Sequence, residues 1–157
     1  MKTFNDNAGR TWTVTINVDA IKRVKGLLGV NLLEAVEGKL LERLIADPVL
    51  LCDVIYAVCR PEADARNVTD EDFGRAMAGD AIDLAATALL EELVGFFPQG
   101  RRRLLAKALE KLRTLEAMAL QAAQTRLESP ELQRELEAAL GNSSGSSPAS
   151  SASSPAP

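Results

Sequence analysis

The sequence predicts a mainly α fold: an N-terminal β-hairpin packed on a helical bundle of about six helices, with a disordered C-terminal tail. Three observations predict it. Over residues 11–16 (TWTVTI) apolar residues alternate with threonine behind a turn-forming DNAGR, the period-2 pattern of a half-buried strand. From residue 17 to residue 140 apolar residues recur at three- and four-residue steps between helix caps. Residues 141–157 hold eight Ser, three Pro, three Ala, two Gly and one Asn, so nothing there offsets the entropy of ordering.

Residues 2–5 (KTFN) supply the first strand and Asn7, Ala8 and Gly9 the turn. Trp12, Val14 and Ile16 share one face of the second strand, and Thr11, Thr13 and Thr15 the other. A lone two-stranded hairpin is marginal in water, so Trp12 must dock on helices. Asn17 or Asp19 can cap the first helix, with Ile21, Val24, Leu27 and Leu28 as its apolar stripe and Gly29 as its end. The segment VNLLEAVEG is ambiguous between a short strand and a helical turn. A helix follows over 39–45, and Asp47-Pro48 starts the next. That helix (VLLCDVIYAVC) is apolar almost all round, which makes it the central core element, and Pro61 stops it.

The polar stretch PEADARNV reads as a loop. Thr69 caps another helix, with Asp70, Glu71 and Asp72 in its positive first turn and Phe73, Ala76 and Met77 facing inward. A longer helix runs from 80 to 97 on Ile82, Ala85, Leu89, Leu93 and Phe96, until Pro98 breaks or kinks it. Residues 99–127 form the longest periodic stretch, through Leu105, Ala108, Leu109, Leu112, Leu115, Ala119 and Ala122. Ser129-Pro130-Glu131 caps a short final helix through Leu140, and Gly141 closes it. The chain thus divides into a hairpin-plus-helix body (1–97), a long and a short helix (98–140) and the tail (141–157).

Composition narrows the function. The 157 residues contain no histidine, the commonest general base and metal ligand. Cys52 and Cys59 stand about 10 Å apart along a helix, too far for a disulfide, and read as buried thiols suited to a reducing cytoplasm. No apolar run nears the ~20 residues of a membrane span, and the polar start leaves no core for a signal peptide. The net charge of −4 disfavours nucleic acid as a partner. That charge is uneven: 10 basic and 16 acidic groups over 1–97, but 8 basic and 6 acidic over 98–140. Asp70, Glu71 and Asp72 point in different directions on a helix and cannot converge on one ion, and Glu91 and Glu92 read as a solvated face. No phosphate-binding glycine loop and no nucleophile with a nearby base is present. The sequence therefore gives no catalytic, cofactor or metal site.

The candidate residues are instead partner-binding ones. Arg101, Arg102 and Arg103 fall at the positive end of a helix, where cations are unfavourable. Either they pair with Glu91, Glu92 or the acidic body, or they face a partner. On the stripe that follows, the leucine-rich half should pack on the body. The alanine-rich half, from Ala117 onward, buries less area per turn. Leu112, Leu115, Ala119 and Ala122 are accordingly the stripe positions assigned to a second helix, from a copy of this chain or from a client.

The order of features over residues 1 to about 110 resembles the tail assembly chaperones of long-tailed phages and prophages. The hairpin has the form F-x-D-x-x-G-R-x-W-x-V (Phe4, Asp6, Gly9, Arg10, Trp12, Val14) and leads into INVDAIKRV. DPVLLCDVIYAVCRPEAD, TDEDFGRAM and an amphipathic helix ending in Phe96-Phe97-Pro98 follow in turn. The resemblance implies a short-form chaperone, active in the host cytoplasm and absent from the mature virion. Such a protein coats the tape measure protein until tail tube protein polymerises around it. The partners implied by the resemblance are the tape measure protein and the tail tube protein; the stripe adds further copies of the chain, and the charge and hydropathy add neither nucleic acid nor membrane. The alternative class is a small acidic protein-binding regulator or adaptor of a phage or prophage.

Overall fold

A computed structural model describes residues 1–143 of the chain. Strands β1 (Lys2–Asn5) and β2 (Thr11–Val14) pair antiparallel with Phe4 opposite Trp12. Gly9 turns the hairpin at φ +78°, a left-handed conformation that costs glycine nothing. As the alternation predicts, Trp12, Val14 and Ile16 are buried.

Helix α1 (Val18–Leu28) is capped by the Asn17 side chain and ends at left-handed Gly29. Its inner face is Ala20, Ile21 and Val24. Leu27 and Leu28, expected on that stripe, are exposed. The ambiguous VNLLEAVEG is a 3-10 helix over Leu32–Glu37, between an Asn31 cap and left-handed Gly38. Helix α2 (Lys39–Ala46) and helix α3 (Pro48–Val58) follow, α3 opened by the Asp47 carboxylate and Pro48. Six of the eleven α3 residues are buried, which makes it the central element, although Val49 at its start is exposed.

The segment read as a polar loop is instead helix α4 (Arg60–Ala65). Pro61 sits in its first turn, where no amide partner is needed, so it ends one helix by opening the next. The polarity that suggested a loop is i,i+4 ion pairing: Arg60 with Asp64 at 2.8 Å and Arg66 with Glu62 at 2.7 Å. Three α4-side groups also reach β2: Arg66 donates to the Thr11 carbonyl at 2.7 Å, Glu62 accepts from the Thr13 amide at 3.0 Å, and the Cys59 thiol meets the Thr13 carbonyl at 3.5 Å.

Helix α5 (Asp70–Arg75) begins with a complete capping box between Thr69 and Asp72. Helices α6 (Asp80–Phe96), α7 (Gln99–Leu127) and α8 (Pro130–Ser143) complete the described chain. Gly141 does not close α8, which continues to Ser143; the rest of the segment expected to be disordered lies outside the described residues. Eight α-helices and one 3-10 helix are therefore present among the described residues, more than the six or so expected, since α4 and VNLLEAVEG are also helical.

The chain divides into two units, Met1–Arg113 and Thr114–Pro157. The first contains the core, in which Trp12, Leu32, Leu41, Leu44, Ile55, Phe73, Leu89, Leu93 and Leu105 are almost fully buried. Trp12 meets Phe73 edge-on with ring centroids 5.3 Å apart, and Phe73 meets Tyr56 at 5.4 Å. In the second unit no described residue is buried; Ser129 and Leu132 alone are half-covered.

Candidate interaction surface

The start of α7 is fixed by the end of α6. The last carbonyls of a helix lack intrahelical partners and carry its negative pole. Arg102 supplies both donor and charge: Nη2 reaches the Gly95 carbonyl at 2.9 Å and Nε the Phe97 carbonyl at 3.2 Å. The cation that conflicts with the pole of α7 thus complements that of α6. Glu91 and Glu92 are not its partners. Glu91 pairs with Lys2 at 3.0 Å and Glu92 with the Met1 amino group, and the Glu92 side chain is only 14% exposed rather than solvated. Arg101 and Arg103 are exposed and pair with no carboxylate among the described residues.

One of the three arginines is therefore structural through carbonyls, neither paired with a carboxylate nor facing a partner. Arg102→Gln should lower stability by about 1–2 kcal/mol, because it strips charged donors from two carbonyls. The pair Arg101→Gln and Arg103→Gln should stay within about 0.5 kcal/mol, as exposed substitutions do. Urea denaturation of the two variants measures the difference; equal losses would contradict the capping role.

Along α7 the apolar stripe changes environment. Leu105 and Leu109 are buried, and Ala108 and Leu112 are packed half-buried against the core. From Arg113 to Leu127 every residue is exposed, including Leu115, Ala119 and Ala122. The change falls between Leu112 and Leu115, before the first alanine of the alanine-rich half. It leaves Leu115 52% exposed and brings in residues absent from the expected set: Met118 at 60%, Leu120 at 68%, Leu136 at 54% and Leu140 at 69%. In α8 the signal was present, because Leu132, Leu136 and Leu140 recur at four-residue spacing on one helical face.

The acidic and thiol groups are occupied structurally. Asp72 closes the capping box and also accepts from Arg75 at 3.2 Å. The Thr69 hydrogen bonds hold its carboxyl below the usual carboxylate range. Burial pushes the Cys59 thiol up to about 12, with Glu62 adding to the rise against Arg23 and Arg66. Burial also raises Cys52. Both cysteines are free, and thiols that stay protonated are poor nucleophiles and ligands. Three open clefts border β2, the hairpin turn and the α4–α5 link; the one beside the hairpin turn is lined by Asn7, Ala8, Arg10, Asp72, Arg75 and Ala76.

No protein-family model matches the chain, and no curated protein or solved structure matches it. Among the described residues no helix is long and apolar enough to cross a membrane.

Proposed function

We propose that the chain is a phage tail assembly chaperone that binds and solubilises the tape measure protein in the host cytoplasm and is absent from the finished virion. One observation carries the reading: after a first unit with a complete core, the chain extends α7 and α8 with large apolar side chains left in solvent. Contiguous exposed apolar surface favours association, and a helical client with an apolar stripe offers the matching surface. The hairpin pattern and the order of capped helices behind it support the same reading, in which the protein acts by holding and not by chemistry.

Co-expression with the tape measure protein tests it. The client should become soluble and be retained in a pull-down with several copies of this chain. Ala119→Glu with Ala122→Glu should reduce retention about tenfold or more, because a charge buried in an apolar contact costs well over the 1.4 kcal/mol of a tenfold change. Both positions are exposed, so the isolated variant should keep its circular dichroism. A client that stays insoluble, or retention unchanged by the two glutamates, would overturn the proposal.

A further inference from the structure

Two helices of this chain carry ridges of the same spacing and opposite charge. On α7, Leu104, Ala108 and Leu112 recur every four residues, with Leu104 64% exposed and the other two packed on one side against the core and half-exposed on the other. Each is preceded by a cation: Arg103, Lys107 and Lys111, all exposed. On α8, Leu132, Leu136 and Leu140 recur every four residues, the first two preceded by Glu131 and Glu135, both exposed. No ion pair engages any of these five charges among the described residues. Over residues 99–113 the balance is six basic groups to one acidic, and over 130–143 it is one basic to three acidic.

The geometry of a right-handed helix decides how such ridges meet. The residue before each ridge position lies about 100° round the helix. When two helices pack face to face in parallel, those flanking rows fall on opposite sides of the contact; packed antiparallel, they fall on the same side. Antiparallel packing therefore sets the cationic row of α7 against the carboxylate row of α8 while the leucine ridges interdigitate. It pairs Leu112 with Leu132, Ala108 with Leu136 and Leu104 with Leu140.

A single chain cannot make this pairing. With Leu132 beside Leu112, Pro130 would lie beside Thr114, about 20 Å back along α7 from Leu127. The link from Leu127 to Pro130 spans at most about 11 Å. We propose that the chain forms a two-fold dimer in which α8 of each copy lies antiparallel on the Leu104–Leu112 ridge of the other copy's α7. Two-fold symmetry makes the contact twice per dimer.

Sedimentation velocity of the full chain tests this without any client, so its outcome is separate from that of the co-expression experiment. The native chain should sediment as a dimer at micromolar concentration. Lys107→Glu with Lys111→Glu should give a monomer, as should Glu131→Lys with Glu135→Lys, because each places like charges together. Mixing the two monomeric variants should restore a dimer, since each then presents the complement the other lacks. All four positions are exposed, and circular dichroism checks that the variants keep their helix. A monomeric native chain, dimers that survive either charge reversal, or a mixture that stays monomeric would each overturn the proposal.

Discussion

Trp12→Ala is expected to remove about 3–5 kcal/mol of stability, the range for large aromatic truncations in cores. The indole is fully buried, so the substitution opens a cavity and removes the edge-on contact with Phe73. It also deprives two cations of an aromatic face, since the Arg10 and Arg66 guanidiniums lie 5.7 and 5.2 Å from the ring centroid. Domains of this size hold only about 5–15 kcal/mol in total, so the variant should be largely unfolded at modest urea. In the native chain the indole emission should be blue-shifted and protected from iodide. Emission at the wavelength of free tryptophan, or a loss below about 1 kcal/mol, would place the hairpin outside the core.

Asp6 should rank next. Its buried carboxylate accepts from four donors: the Ala8 and Arg10 amides at 2.9 Å, and Arg10 Nε and Trp12 Nε1 at 2.8 Å. Removing one member of a buried charged pair costs about 3–5 kcal/mol. The Arg10 side chain is 25% exposed and regains some water, so Asp6→Ala should cost about 3 kcal/mol. Burial by itself would raise the Asp6 pKa; the hydrogen bonds from Trp12 and Arg10 and the Arg10 charge outweigh it, and the pKa is lowered. A lowered folded-state pKa means the folded chain binds the proton less readily than the unfolded chain. The stabilisation is therefore complete above the ordinary value of about 3.9 and is lost as pH falls through the lower folded value. Melting temperatures between pH 7 and pH 2 should show that acid loss in the native chain and a smaller one in Asp6→Asn. Identical acid limbs would show that Asp6 does not contribute to it.

Residues whose roles depend on near neighbours were legible in the sequence. Asp47 and Thr69 were readable as caps, Asn17 as one of two candidates with Asp19, and Gly29 as an end, because a cap is decided within a few residues of chain. Trp12 was legible as a core residue from the alternation together with the marginal stability of a lone hairpin. Roles that depend on distant partners were not. Asp6 stood only as a position of the hairpin pattern, and its bond to the Trp12 indole appears only once the hairpin closes. Arg102 looked misplaced because its partners belong to the preceding helix, across Pro98. In α4 a correct observation, polarity, led to the wrong element, since Ala63 is its one buried residue and too few apolar positions remained to show a helical period. On α7 the stripe was legible throughout, but the point where its packing ends depends on the extent of the core.

The three α4-side contacts to β2 have a consequence for association through strands. A strand edge with free amides and carbonyls recruits further strands, and chains joined that way grow without limit. Here Arg66, Glu62 and Cys59 already occupy the Thr11 carbonyl and both peptide groups of Thr13. A neighbouring strand arriving there would have to displace an ion pair and a buried thiol before forming its first hydrogen bond. Along that side the hairpin is closed to fibre growth, while Leu104, Leu115 and Leu136 are exposed on α7 and α8.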